Sequence, residues 1–232
     1  MGVTHFEIQL LEKVIEKYKP KSVIELGSQT NYTTPETAKP PFMSEWFHSR
    51  NIKYCCIDLA GDNNAIVADL SNSISLYEDV MDIGNIILTR QRIFPLLTDF
   101  GSSEHVVQMN EYETVSFHEG HINSIYPKGE IKSIEEGYYN CWVNKHSLLK
   151  LGGIMINVNP LTGHWHEHGY SYLGANFYDE LVKISGYEII EQGINCATGN
   201  CETGQNLYSI LRKVSDVFPD FNSFSKLPIY KS

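Results

Sequence analysis

One run constrains this chain more than any other: Lys21-Ser22-Val23-Ile24-Glu25-Leu26-Gly27-Ser28-Gln29. It reads as an apolar strand that ends in an acidic residue and a glycine. Pro20, just upstream, stops an amphipathic helix over residues 5–18, in which Phe6, Leu10 and Val14 share one stripe. A second apolar run, Tyr54-Cys55-Cys56-Ile57-Asp58, follows about thirty residues on and also ends in a carboxylate. Strand, crossover and strand in that order begin a parallel α/β sheet.

The rest of the chain continues the alternation. Phe42–Ser49 reads as a short crossover helix and Asn64–Ala68 as a short strand ending at Asp69. A helix is expected through Leu76–Met81. Proline cannot donate to a ladder, so the central strand is expected to start after Pro95, at Leu96. Asp99-Phe100-Gly101-Ser102-Ser103-Glu104-His105 then turns from strand into helix, with Ser102 or Ser103 as its cap. Residues 116–137 read as a long irregular excursion and a candidate lid. A helix face follows at Tyr139, Trp142, Val143, His146 and Leu149, and Gly152-Gly153 ends it. Ile154–Val158 is a buried strand, Leu161–Ser171 a loop rich in histidine and aromatics, and Asn176–Ser185 a helix. Tyr187–Glu191 and Leu207–Lys213 are the last strands and read as an antiparallel pair. The expectation is one α/β domain over residues 1–232. Residues 1–19 hold the N-terminal helix, 20–213 the core, and 214–232 a tail that packs along the surface.

At 232 residues there is room for a sizeable core. A net charge of −10 disfavours a protein that grips nucleic-acid backbone. No apolar run reaches the roughly 20 residues of a membrane span, and the N-terminus has no signal-peptide pattern. The five cysteines are an odd number and read as reduced thiols of a cytoplasmic protein, Cys196 and Cys201 as loop thiols. A strand that stops at Glu25-Leu26-Gly27, followed by one that stops at Asp58, suits a nucleoside pocket. The glycine lets backbone approach a ligand, and the second carboxylate can accept ribose hydroxyls.

Four motifs together resemble the class I S-adenosylmethionine-dependent methyltransferases. Val23-Ile24-Glu25-Leu26-Gly27-Ser28 is similar to the first, cofactor-cradling motif. Ile57-Asp58-Leu59 is similar to the ribose-binding motif, Ala68-Asp69-Leu70-Ser71 to the adenine-binding one, and Leu148-Leu149-Lys150-Leu151-Gly152-Gly153-Ile154-Met155-Ile156 to the entry into the fifth strand. Gln29 stands where a second glycine is common, and Leu151 replaces a usual proline. The resemblance implies a Rossmann-like, mostly parallel seven-stranded sheet with helices on both faces and a C-terminal antiparallel hairpin strand. It implies S-adenosyl-L-methionine as cofactor and a small-molecule acceptor; charge and hydropathy add the expectation of neither nucleic acid nor membrane as partner. Glu25, Gly27, Ser28 and Gln29 would lie under the methionine moiety, Asp58 and Leu59 at the ribose, and Asp69 and Leu70 at the adenine. Asp99-Phe100-Gly101 would meet the transferring methyl.

Each residue has a plainer reading. Glu25 can cap the next helix, Asp69 can serve its own turn, and Glu104-His105 can be either a solvated first turn or a pocket wall. Asp99, His105, His164 and His168 are the candidate catalytic groups, as bases or acceptor contacts. The loop Gly163-His164-Trp165-His166-Glu167-His168 suits an acceptor-pocket wall. If extended, it could instead present His164, His166 and His168 to a metal, although no metal site is assigned. His118, Glu119 and His121 read as solvated loop. The alternatives to methyl transfer are a nucleotide-binding module without catalysis and a metal-dependent hydrolase using the histidine loop.

Overall fold

The computed structural model describes residues 2–33, 41–59, 65–72, 82–83, 86–87, 94–116, 123–165, 167–196, 201–202 and 204–231. The expected helix over Leu76–Met81 and the cluster His118, Glu119, His121 lie outside them, as do Asn64 and His166.

Seven strands form the central sheet: β1 (Ser22–Leu26), β2 (Lys53–Asp58), β3 (Ile66–Val67), β4 (Phe94–Phe100), β5 (Leu149–Pro160), β6 (Tyr187–Cys196) and β7 (Gln205–Lys213). They lie in the order β6-β7-β5-β4-β1-β2-β3. Parallel pairing joins β1 to β2 and β4, β2 to β3, and β4 to β5, whereas β7 is antiparallel to both of its neighbours. The chain runs outward from β1 through β2 to β3, then returns to the other side of β1 as β4. That reversal opens a crevice at the carboxyl ends of β1 and β4, where ligands of open α/β sheets sit.

Strand alternation sends neighbouring side chains to opposite faces. Val23, Leu96, Ile154, Ile156 and Ile210 face α1 (His5–Tyr18) and α2 (Met43–His48), and pack on Leu10, Leu11, Val14, Met43 and Phe47. Ile24, Leu26, Ile57, Leu97, Met155 and Leu211 face α3 (Ile134–Leu148), α4 (Phe177–Ile184) and α5 (Phe221–Phe224). Trp142, Tyr138, Phe177 and Tyr178 fill that second layer. The sheet is thus covered on both sides, and among the described residues no helix is long and apolar enough to cross a membrane.

Several local expectations are corrected. Pro95 lies within β4, although pairing with β1 begins only at Leu96, where a backbone N–H is again available. The helix after β4 is a single 3-10 turn, Ser103–His105, and neither serine side chain caps it. Asp99 does so instead: its Oδ1 accepts from the Ser102 and Ser103 N–H groups at 3.1 and 3.2 Å. Most of the segment read as a lid is an antiparallel hairpin, Gln108–Ser116 with Asn123–Ser133, and Ser133 caps α3 through the Glu136 N–H. Helix α3 stops before the glycines. Gly152, at φ 76°, sits inside β5 at a break in register between Leu149 and Ile154, a bulge that only glycine adopts cheaply. Residues Thr30–Asn31, read as loop, pair in parallel with Gly2–Val3.

The tail is anchored to the core at two places. Phe224 is buried among Trp142 and Tyr138, and Ile229–Lys231 pairs with Ser171–Leu173. Cys196 and Cys201 form a disulfide across the β6–β7 connection, while Cys55, Cys56 and Cys141 are free and buried. The reading of five reduced thiols is therefore wrong for two of them, and with it goes the cysteine argument for a reducing compartment.

Candidate active site

At the crevice lies a cavity of about 360 Å³, within the size range of small-molecule sites. Gly27, Asp58, Leu59, Asp69, Leu70 and His105 line it. The segment after the 3-10 turn also contributes to the lining, with Val106, Val107 and Met109, none of them singled out from the sequence. The run Val106-Val107-Gln108-Met109 is too short and too irregular to carry a period.

Gly27 makes the turn at the end of β1. Its φ is 76°, and a Cβ there would lie 2.4 Å from Ser102 Oγ and 2.8 Å from Gln29 Nε2. Its N–H donates to Ile57 O at 2.8 Å, tying the turn to the end of β2. The Ser28 N–H donates to Asp58 Oδ2 at 2.7 Å, which fixes that carboxylate at the cavity edge. Asp69 accepts from Ser71 N–H at Oδ1 (2.8 Å), and from the Ser71 hydroxyl and Asn72 amide at Oδ2 (2.7 and 2.8 Å). Asp69 thus builds its own turn and lines the cavity as well.

Other residues expected around the cofactor are not in the cavity lining. Glu25 is fully buried on the α1 and α2 side, where Tyr54 Oη donates to its Oε2 at 2.6 Å. Burial pushes its carboxyl up to about 8, against the pull of the Tyr54 hydrogen bond. Gln29 is buried and donates to Ser102 Oγ at 3.0 Å. Phe100 alternates away into the layer beneath α1 and α2. Gly101, at φ 74°, makes the turn after β4.

Asp99 lies one residue from Phe100 and so faces the α3 layer. Its Oδ2 is 2.6 Å from Lys145 Nζ, and both side chains are fully buried. Burial alone would raise the Asp99 carboxyl, but the Lys145 ammonium outweighs it and holds the acid below its usual range. Lys145 also donates to Asn157 Oδ1 at 3.1 Å and lies 4.0 Å from the Trp142 ring centre. A signal for this partner was present in the sequence. Tyr138, Cys141, Trp142 and Lys145 fall at helical spacing on one stripe, so a charge on that stripe needs a buried acid.

Beside this pair Asn159 Nδ2 reaches Ser103 Oγ at 3.0 Å, Asp99 Oδ2 at 3.3 Å and Glu104 Oε2 at 3.4 Å. Tyr178 Oη donates to Asn159 Oδ1 at 3.2 Å, which fixes the direction of that amide. Glu104, read as a first-turn residue, is 1% exposed. Burial first, and the Asp99 charge second, push its carboxyl up to about 8.

His105 and His168 come together here, with ring centres 5.2 Å apart. Burial lowers the pKa of both imidazoles, and for His105 the neighbouring His168 adds to the effect. His164 points elsewhere: its Nδ1 lies 3.2 Å from Glu202 O, next to the disulfide loop. The described residues therefore do not bring His164 and His168 into one cluster.

A scan of the sequence against protein-family models gives no match, and a search of curated proteins gives none either. The fold does have counterparts among solved structures. The 1,6-didemethyltoxoflavin-N1-methyltransferase of Burkholderia thailandensis, solved with 1,6-didemethyltoxoflavin and S-adenosylhomocysteine bound, aligns over 88% of this chain and 76% of its own, at 11% identity and TM-score 0.53. The N-methyltransferase NodS of Bradyrhizobium japonicum WM9, in complex with S-adenosylhomocysteine, aligns over 90% of this chain and 86% of its own, at 10% identity and TM-score 0.51. The chain has the class I methyltransferase fold. At such identities the likeness is one of architecture, and the chain's seven-stranded, mostly parallel sheet with its antiparallel hairpin is consistent with it.

Proposed function

We propose that this chain is an S-adenosylmethionine-dependent methyltransferase acting on a small-molecule acceptor. The observation that carries the reading is the meeting of Gly27, Asp58 and Asp69 around one cavity at the sheet's point of reversal. The donor set suits the cofactor. Asp58, anchored by the Ser28 N–H, offers a carboxylate to ribose hydroxyls. Asp69 and Leu70 suit the adenine edge, and the Gly27 turn, packed on Ser102 and Gln29, brings backbone to the cavity wall.

When bound, S-adenosylmethionine supplies an electrophilic methyl group on a sulfonium. The chain's own contribution is position: the rigid ends of β1, β2 and β4 hold two ligands in one geometry, and alignment of that kind supplies much of the rate. Val106 and Met109 help keep water out. Glu25 and Asp99 act on this reading as positioning groups, Glu25 behind the Gly27 turn and Asp99 beneath the 3-10 turn. His105 and His168 serve the acceptor side.

Calorimetry with S-adenosylhomocysteine tests the proposal. Wild type should bind, and Asp58→Ala should weaken binding by about tenfold or more, ~1.4 kcal/mol. Equal affinity in the variant would move the ribose away from Asp58.

A further inference from the structure

We propose that Glu104, His105 and His168 form a binding site for a divalent first-row metal ion. Their ligating atoms all lie within 4.8 Å of one another. Glu104 Oε1 is 3.7 Å from His105 Nε2 and 3.9 Å from His168 Nε2. Ligands on bonds of about 2.0–2.1 Å in a tetrahedral site stand roughly 3.3 Å apart, so each carboxylate–imidazole pair closes by about half an ångström and the two imidazoles by at most about 1.5 Å, within reach of side-chain rotation.

The carboxylate is prepared on one side and open on the other. Asn159 holds Oε2, and Tyr178 orients Asn159. Oε1 is buried and has no hydrogen-bond partner among the described residues. A buried carboxylate oxygen without a partner is costly, and a cation between it and two imidazoles removes that cost. A ligating carboxylate steadied by a further hydrogen bond is the usual construction of such sites.

The histidine loop is fixed against the same carboxylate by its backbone. The Tyr170 N–H donates to Glu104 O at 2.8 Å, and the His168 and Gly169 N–H groups donate to Tyr172 Oη at 2.9 and 3.1 Å. A Cβ on Gly169 would lie 2.8 Å from Glu104 Cγ, so only glycine allows this approach. The site is therefore built by two segments more than sixty residues apart in sequence. Two imidazoles and one carboxylate suit zinc, iron(II), cobalt(II) or nickel(II) better than magnesium or calcium, which take mostly oxygen. His105 also lines the cavity, so a molecule bound there can reach positions that the three protein ligands leave free.

The site shares His105 and His168 with the acceptor side of the methyl-transfer reading, but its test is a separate titration that needs neither cofactor nor acceptor. Chelator-stripped protein without a histidine tag is titrated calorimetrically with Zn²⁺, and in parallel with Mg²⁺. The site predicts saturable, stoichiometric Zn²⁺ binding and much weaker Mg²⁺ binding. His105→Ala, His168→Ala and Glu104→Gln should each weaken Zn²⁺ binding by about tenfold or more, whereas His164→Ala should leave it unchanged. Half-exposed His168 keeps the test decisive should the buried Glu104 variant fail to fold. Absence of saturable Zn²⁺ binding, or binding that survives the double variant His105→Ala/His168→Ala, would overturn the site.

Discussion

At the scale of the residue, the fully buried pair Asp99–Lys145 shows how charge is spent beneath the site. Asp99 does two jobs: Oδ1 caps the 3-10 turn and Oδ2 holds Lys145. Removing one partner of such a pair leaves a bare buried charge, so Lys145→Met should cost about 3–5 kcal/mol. Urea denaturation measures this, and a loss below about 1 kcal/mol, the size of an ordinary substitution, would show the pair to be energetically idle. The double variant Asp99→Asn/Lys145→Met should recover a large part, because the amide oxygen still caps the turn and no charge remains. The sign with pH follows from the lowered carboxyl. The Asp99 contribution is complete above its ordinary value of 3.8 and is lost as pH falls through the still lower value of the folded state. The sequence placed Asp99 at the functional edge of the sheet but not on the layer it faces, because which face a strand residue takes depends on register with unseen neighbours. Glu104 was legible only as one of two readings, a solvated first turn or a pocket wall with His105. A short polar run after a strand looks solvated until Asn159, fifty-five residues on, closes over it.

At the scale of the element, strands and helices with a strong period were legible. The helix over residues 5–18, the strands Ser22–Leu26 and Lys53–Asp58, and the closing hairpin stand where hydrophobic spacing put them. Elements whose stability comes from partners were not. The pair Gln108–Ser116 and Asn123–Ser133 lacks an apolar alternation, and Gly152 marks a bulge within β5 where it seemed to mark a helix stop. Helix α5 has only four residues and would not persist alone; it is held by Phe224 against Trp142 and Tyr138. Phe224→Ala should therefore destabilise the whole fold by about 3–5 kcal/mol. Thermal unfolding would register this as one cooperative transition at lower temperature. Loss of the tail alone, with the rest melting as in wild type, would make α5 an appendage.

At the scale of the whole molecule, the order β6-β7-β5-β4-β1-β2-β3 decides where chemistry can occur. It brings Gly27 and Asp58 to one edge from strands that are neighbours in space. It also carries the segment after β4, with Glu104 and His105, to the same edge, and the loop after β5 delivers His168. The first gathering could be read from strand-terminal carboxylates and glycine. The second could not, because no spacing in the chain links His105 to His168. The proposed function requires an adenosine bound against Asp58 and Asp69. A crystal structure with S-adenosylhomocysteine measures this directly. Ribose hydroxyls are expected within hydrogen-bond distance of the Asp58 carboxylate, with adenine beside Asp69 and Leu70. Ligand bound away from the Gly27 turn, or contacts that leave Asp58 and Asp69 untouched, would contradict it.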